Sequence, residues 1–204
     1  MCANKSNYKK RGLTTKDFVV TGVFSSIYVV FNIAGGIIFA PNPVLTFYTP
    51  IGMALLCGPV FLLLSAKVPK YGAVTILGII IGILWFATGM HWAFGTGAIV
   101  MGGLADIVLR LGRYKNSVFG IVGYMVFSLG PVGTYAVFFM DPAGWSKTMI
   151  SYGTSASYVE TMNTAAFSGL LPIIVIGTLT AALLSGLVGR KMLKRQFEKA
   201  GITA

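Results

Sequence analysis

The chain has 204 residues, of which 55% are hydrophobic and only 10% are charged. A soluble domain carries about 25% charged residues, so 16 basic and 5 acidic side chains are too few to cover a soluble protein of this size. The net charge of +11 is typical of nucleic-acid-binding proteins, but that interpretation requires a basic patch on a soluble surface. We therefore expect a multi-pass membrane protein with no nucleic-acid partner.

Six stretches of the sequence are apolar enough to cross a bilayer as helices, and a crossing takes about 20 residues. They lie at 18–40, 44–66, 71–90, 94–109, 117–140 and 165–189. We predict an all-α, polytopic fold with one six-helix transmembrane domain at 18–189, between tails at 1–17 and 190–204.

The basic residues sort by side when these six spans are drawn. All of the 16 lysines and arginines except Lys147 then fall on the same side as the two termini. Cytoplasmic loops of membrane proteins carry the excess of lysine and arginine. We therefore expect both termini in the cytoplasm and the chain in the plasma membrane, with its basic face toward anionic lipid.

Several kinds of chemistry lack their residues in this sequence. No Gly-x-x-x-x-Gly-Lys-Ser/Thr phosphate loop is present, so we expect neither ATP hydrolysis nor another enzymatic activity by the chain itself. His91 is the one histidine, which argues against a metal site, and we predict no cofactor. Cys2 and Cys57 lie in a tail and within a span, so we predict no disulfide.

Asp106 is the acidic residue that falls within a predicted span. It precedes Arg110 by four residues, a spacing that puts the two side chains on one helix face. We expect a local ion pair at the membrane interface. The alternative is a proton or cation site, because ionisable groups inside a span commonly serve transport.

Aromatic and polar residues gather on the predicted outer side, in the mixture that small-molecule pockets use. The candidate substrate-binding residues are Asn32, Trp85, His91, Trp92, Tyr135, Trp145, Glu160 and Asn163. Taken singly, each Trp or Tyr also suits an interfacial aromatic belt, and His91 suits a solvated turn. The loop predicted at 141–164 is either a lid over the pocket or a disordered connector.

Small residues recur at four-residue spacing in three spans: Gly22-x-x-x-Ser26, Gly78-x-x-x-Gly82 and Ala181-x-x-x-Ser185-x-x-x-Gly189. Residues at this spacing share a helix face, and small ones let two helices approach closely. Each pair either packs inside the bundle or forms a docking surface for another membrane protein.

Residues 13–28, with the sequence LTTKDFVVTGVFSSIY, resemble the first span of the Trep_Strep group of small six-span membrane proteins. That group is similar to the substrate-binding S components of energy-coupling factor (ECF) transporters. The resemblance implies a subunit that binds a vitamin, its precursor or a metal ion on the outer side, in a pocket formed by the outer parts of helices four to six and by outer loops.

The resemblance also implies docking through the first three helices onto a membrane scaffold protein and two ATPases, followed by toppling of the whole subunit in the membrane. The family carries Ala-x-x-x-Ala at the docking face of its first helix. The matching positions here are Gly22 and Ser26, which are small although neither is alanine.

Two other functions stay open at the level of sequence. A stand-alone facilitator or channel requires a polar lining through the inner half of the membrane, where Asp106 is the polar candidate. A membrane enzyme requires a convergent catalytic set, for which His91 with Asp141 or Glu160 on the outer side is the candidate, and a structural subunit is the remaining alternative. If the chain is an S component, its predicted outer side carries Glu160 and Lys147, whose opposite charges leave that side close to neutral. We therefore expect a neutral or cationic ligand, such as a pyrimidine, pyridine or thiamine-like compound.

Overall fold

The computed structural model describes residues 12–199, with side chains through Lys194. The described residues form nine α-helices and one 3-10 turn, without a strand. The helices are α1 Thr15–Ile37, α2 Thr49–Lys67, α3 Ala73–Ala87, α4 Trp92–Leu111, α5 Ser117–Ser128, α6 Val132–Met140, α7 Pro142–Ser151, α8 Ala156–Ala165 and α9 Leu170–Lys199, and the turn is Leu45–Tyr48. The all-α prediction is confirmed for this part of the chain, whereas Cys2 and most of the predicted N-terminal tail lie outside it.

The first helix begins at a capping box. The Thr14 side chain accepts a hydrogen bond from the Asp17 N–H, and Asp17 accepts one from the Thr14 N–H at 2.7 Å. These bonds satisfy donors that a helix start otherwise leaves free. Lys70 Nζ lies 2.6 Å from the Asp17 carboxylate, so the same residue also ties the start of α1 to the turn between α2 and α3.

Among the described residues, four helices are long and apolar enough to cross a membrane: α1, α2 with its preceding turn, α4 and α9. The predicted fifth span is broken, because α5 and α6 meet at a bend of 42°. Pro131, at the start of α6, has no N–H to continue the helical hydrogen bonds of α5. The predicted third span forms an apolar helix of 15 residues, which is shorter than the roughly 20 residues of a typical crossing.

Two of the small-residue motifs pack inside the bundle. A Cβ added to Gly78 would lie 2.6 Å from the Ala98 carbonyl oxygen, and one on Gly82 would lie 2.7 Å from that of Gly95. These glycines therefore set the close approach of α3 to α4. In the third motif, Ser185 on α9 accepts a hydrogen bond of 3.1 Å from the Gly58 N–H on α2, next to Pro59, which lies inside that helix.

The motif of α1 is different, because it faces outward. A Cβ added to Gly22 would meet no atom within 4 Å, and Ser26 is exposed, with its hydroxyl donating to the Gly22 carbonyl oxygen at 3.0 Å. Thr21 and Ser25, one position earlier in each case, are buried instead. The α1 face that carries Gly22 and Ser26 is thus without a neighbour among the described residues.

The segment predicted as a long outer loop is helical. Residues 141–164 form α7 and nearly all of α8, two helices of ten residues each, so the disordered-connector alternative is wrong. Asp141 caps α7 by accepting from the Gly144 N–H at 2.9 Å, and Ser155 caps α8. Trp145 and Met162 are buried in an apolar cluster with Phe138 and Ile174. This packing against α6 and α9 orders a segment whose own sequence is mostly polar.

Candidate functional site

A cavity of about 390 Å³ lies at the end of the bundle where α1 ends and α2 begins. Pockets for small molecules span about 300–1,000 Å³, so this one suits a compact ligand. Helices α1, α2, α3, α6, α7 and α8 contribute to its walls. The lining residues are Ile33, Gly36, Ile37, Ala40, Thr46, Thr49, Met53, Trp85, Met90, His91, Thr134, Tyr135, Trp145, Met149, Thr154, Tyr158 and Met162.

Two tryptophans in the cavity wall are fixed by hydrogen bonds from their indole nitrogens. Trp85 Nε1 donates to Asn32 Oδ1 at 2.9 Å, and Trp145 Nε1 donates to Thr134 Oγ1 at 3.1 Å. Asn32, one of the predicted site residues, is buried and acts here through Trp85. Because a buried indole N–H needs an acceptor, these partners hold each ring in place.

Two tyrosines of the wall are held in the same way. The Tyr158 hydroxyl donates to the Ala40 carbonyl oxygen at 2.6 Å, and the Tyr135 hydroxyl donates to the Thr46 carbonyl oxygen. Both acceptors belong to the segment that connects α1 to α2. These two hydrogen bonds therefore attach that segment to α6 and α8. The tyrosine rings form part of the cavity wall.

His91 is the N-cap residue of α4, and its Nδ1 accepts a hydrogen bond of 3.2 Å from the Ala93 N–H. With Nδ1 as the acceptor, the neutral ring carries its proton on Nε2. The ring is 2% exposed and stacks on Trp145, with the centroids 5.9 Å apart and the planes inclined by 23°. Burial lowers the pKa of His91 below its ordinary value of 6.5, which favours the uncharged ring.

Thr49, at the start of α2, is a cavity residue that the sequence analysis missed. Its side chain is 3% exposed, and its hydroxyl has no hydrogen-bond partner among the described residues. The Tyr135 side chain lies close enough to interact with this hydroxyl. A buried hydroxyl without a hydrogen bond is unfavourable, so a ligand that bonds to Thr49 would satisfy it. Its place directly before Pro50 predicts a helix start, but no sequence signal indicates that its hydroxyl is left unpaired.

Trp85, His91, Tyr135 and Trp145 are the predicted site residues that line the cavity. The other candidates lie elsewhere: Trp92 is 47% exposed, Glu160 is exposed, and exposed Asn163 donates to Ser146 Oγ at 3.2 Å. No Asp, Glu, Lys or Arg occurs among the described residues of the lining. The candidate site is therefore aromatic and uncharged.

The predicted ion pair between Asp106 and Arg110 is wrong. Asp106 is fully buried, and its Oδ2 accepts hydrogen bonds from the Gly72 N–H, the Thr75 N–H and the Thr75 hydroxyl at 2.8–2.9 Å. Tyr114 donates to Oδ1 at 3.2 Å. Arg110 instead lies over the Tyr71 ring, 5.7 Å from its centroid.

The start of α3 explains this arrangement around Asp106. Gly72, the N-cap residue of α3, has φ of +104° and no side chain with which to cap the helix. The free N–H groups and the dipole at a helix start attract a negative charge. Asp106 supplies that charge from α4, so its hydrogen-bonding capacity is used within the fold. We call Asp106, Gly72, Thr75 and Tyr114 the Asp106 network.

These features define the class: a multi-pass helical membrane protein with an aromatic, uncharged cavity at one end. One family model, described as "Hypothetical bacterial integral membrane protein (Trep_Strep)", matches residues 15–199. The chain belongs to this family, as the first span predicted. No curated protein and no solved structure matches the chain. Among the described residues, no group of three or more His, Cys, Asp or Glu side chains is arranged to hold a metal ion.

Proposed function

We propose that this protein is the substrate-binding membrane subunit, or S component, of an ATP-driven ECF importer. The observation that carries the proposal is the cavity, which combines rigid aromatic walls with the unpartnered hydroxyl of Thr49. Such a cavity suits the capture of a small water-soluble nutrient, because aromatic walls supply contact area and a few polar groups orient the ligand.

The proposed topology has six passes in the plasma membrane, with α3 as the short third pass and α5 with α6 as the bent fifth. Both termini are then cytoplasmic, and the cavity opens toward the outer side. The distribution of basic residues supports this orientation, since Lys147 on α7 is the one basic residue on the cavity side in the part of the chain that the structure describes. Segregation of lysine and arginine to the cytoplasmic side orients multi-pass proteins.

The proposed partners are a membrane scaffold protein and two ATPases, because the chain carries no ATP-binding motif of its own. Release of a tightly bound ligand requires a partner that binds the empty and loaded states with different affinities. The docking surface we propose is the α1 face at Gly22 and Ser26. Support comes from its open surroundings, which contrast with the filled grooves at Gly78 and Gly82.

The test is purification of the tagged protein from its native membranes in mild detergent. We expect recovery of two ATPases and a scaffold protein with the wild type, and their loss with Gly22→Leu or Ser26→Leu. Gly103→Leu is the matched control, because Gly103 also lies on a helix with no atom within 4 Å of an added Cβ. We expect it to keep both the partners and the fold.

Two results would contradict the proposal. The first is purification without any ATPase under conditions that preserve other complexes of this kind. The second is substrate flux into liposomes that contain this chain alone, which would indicate a facilitator. Retention of the partners by Gly22→Leu would reject only the proposed docking face.

A further inference from the structure

The polar groups of the cavity wall are unequally available to a ligand. Trp85, Trp145, Tyr135 and Tyr158 each donate their polar hydrogen to an acceptor within the protein. These four side chains therefore offer a ligand their ring surfaces, and the two tyrosines also offer oxygen lone pairs. None of the four has a hydrogen left to donate.

Thr49 and His91 are two groups of the wall that keep a donor, and Thr46, Thr134 and Thr154 also bring hydroxyls to it. The Thr49 hydroxyl has no partner among the described residues, although the residue is buried. His91 uses Nδ1 to accept from the Ala93 N–H, which leaves the proton of its neutral ring on Nε2. The cavity thus combines aromatic faces with hydrogen-bond donors that include a hydroxyl and an imidazole.

The charge of a ligand is constrained by what the wall lacks. No carboxylate, ammonium or guanidinium group occurs among the described lining residues. Transfer of an ion from water into such a site is strongly unfavourable unless an opposite charge meets it. Contact between a cation and aromatic rings recovers only part of that loss.

From these observations we propose that the cavity binds a compact, uncharged heteroaromatic compound, whose ring lies against the aromatic walls and whose polar edge bonds to Thr49 and His91. This inference rests on the proposed binding role and names the chemical class that the site takes. It excludes the cationic ligand that the sequence alone left open. It also assigns Thr49 as a residue that determines ligand specificity.

The test measures binding of two matched ligand series to the full chain in lipid nanodiscs, by isothermal titration calorimetry. The one-ring probes are nicotinamide, nicotinate and 1-methylnicotinamide, and the two-ring probes are indole-3-carboxamide, indole-3-carboxylate and indole-3-methylammonium. We expect the uncharged member of at least one series to bind at least about tenfold more tightly than its charged counterparts. A charged member that binds as tightly as the neutral one, or no binding by either series, would overturn the inference.

Thr49→Val then tests the assigned residue, with Thr178→Val as the matched control. Thr178 is also a buried threonine with an unpartnered hydroxyl, but it does not line the cavity. Both substitutions remove an unsatisfied hydroxyl, so neither is expected to lower the unfolding temperature. We expect Thr49→Val alone to weaken binding of the uncharged probe, by about three- to tenfold, and Thr49→Ser to restore it. Equal affinities for Thr49→Val and Thr178→Val would overturn the assignment.

The two proposals fail separately in these experiments. Tight binding of an uncharged probe without recovery of partner ATPases supports the ligand class and rejects the transport role. Recovery of the ATPases together with preferred binding of a charged probe supports the transport role and rejects the ligand class.

Discussion

The Asp106 network and the cavity both bury polar groups between helices, but they use them in opposite ways. Asp106 receives four hydrogen bonds, from Gly72, Thr75 and Tyr114. In the cavity, the buried Thr49 hydroxyl has no hydrogen-bond partner among the described residues, although Tyr135 lies close to it. In the Asp106 network the hydrogen-bonding groups are satisfied within the protein. In the cavity a hydrogen-bonding group remains unused beside a space large enough for a small molecule.

The comparison shows that a buried ionisable residue in a membrane protein is not by itself a transport site. Because Asp106 is an acidic residue within a span, its position favours a transport site. Its hydrogen-bond partners instead identify it as a cap that α4 supplies to the start of α3. In this protein, a ligand site is better indicated by unused hydrogen-bonding groups that border a cavity. Substitutions that remove the groups defining each region distinguish the two arrangements.

The largest expected effect is loss of stability on Asp106→Ala. The substitution leaves the N–H groups of Gly72 and Thr75 without their acceptor at the start of α3, and we expect destabilisation by about 2–4 kcal/mol. Thermal unfolding of the purified protein measures it. Asp106→Asn, which keeps one oxygen acceptor, should lose less, and an unfolding temperature unchanged by Asp106→Ala would contradict the capping role.

A similar but smaller loss is expected from Gly78→Ala. The new Cβ would lie 2.6 Å from the Ala98 carbonyl oxygen, so α3 must move away from α4, at about 1–3 kcal/mol. Gly22→Ala is the matched control, because its Cβ meets no atom within 4 Å, and alanine is the better helix former. If Gly22→Ala destabilised the fold as much as Gly78→Ala, the assignment of the two glycine faces would be wrong.

In the cavity, Trp85→Leu should reduce ligand retention. We expect it to lower the stability of the fold less than Asp106→Ala or Gly78→Ala does. The substitution removes part of the aromatic wall, and we expect about a tenfold loss of affinity. Native mass spectrometry of the purified variant measures the fraction of protein that keeps its co-purified compound. Phe86→Leu removes an exposed aromatic ring of the same helix that does not line the cavity and should have no effect on retention, so equal losses in the two variants would contradict the site.

The smallest expected effect concerns the pH dependence of stability through His91. Because burial holds the folded pKa of His91 below 6.5, the unfolded chain binds the proton more readily. The contribution of His91 to stability is therefore fully present above pH 6.5 and declines as the pH falls through the folded pKa. His91→Gln should remove this part of the acid sensitivity in thermal unfolding measured from pH 7.5 to 5. An identical pH profile in the variant would contradict the buried neutral ring.

The sequence predicted the features that depend on hydropathy and residue type. Apolar runs located the long helices, and the outer aromatic cluster contained Trp85, His91, Tyr135 and Trp145, which line the cavity. The helices α7 and α8 were missed because their polar sequences carry little helical pattern. They are stabilised by local caps and by the packing of Trp145 and Met162.

The partners of buried polar groups were beyond the reach of sequence reasoning. Helical spacing paired Asp106 with Arg110, whereas the stronger attraction is the uncapped start of α3, which lies 34 residues earlier in the chain. Thr49 was missed for the same reason, since an unpaired hydroxyl is a property of the three-dimensional environment. Local patterns predict which residues are buried more readily than which residues they meet.

The most direct measurement of the central claim is native mass spectrometry of the protein purified from its native membranes. We expect one small, uncharged compound bound per chain in the wild type. We also expect Thr46→Trp to lose that compound, because a larger side chain at this half-buried lining position fills the cavity. If the wild type carried no bound compound, or if Thr46→Trp retained it fully, the claim that this cavity binds a small ligand would be contradicted.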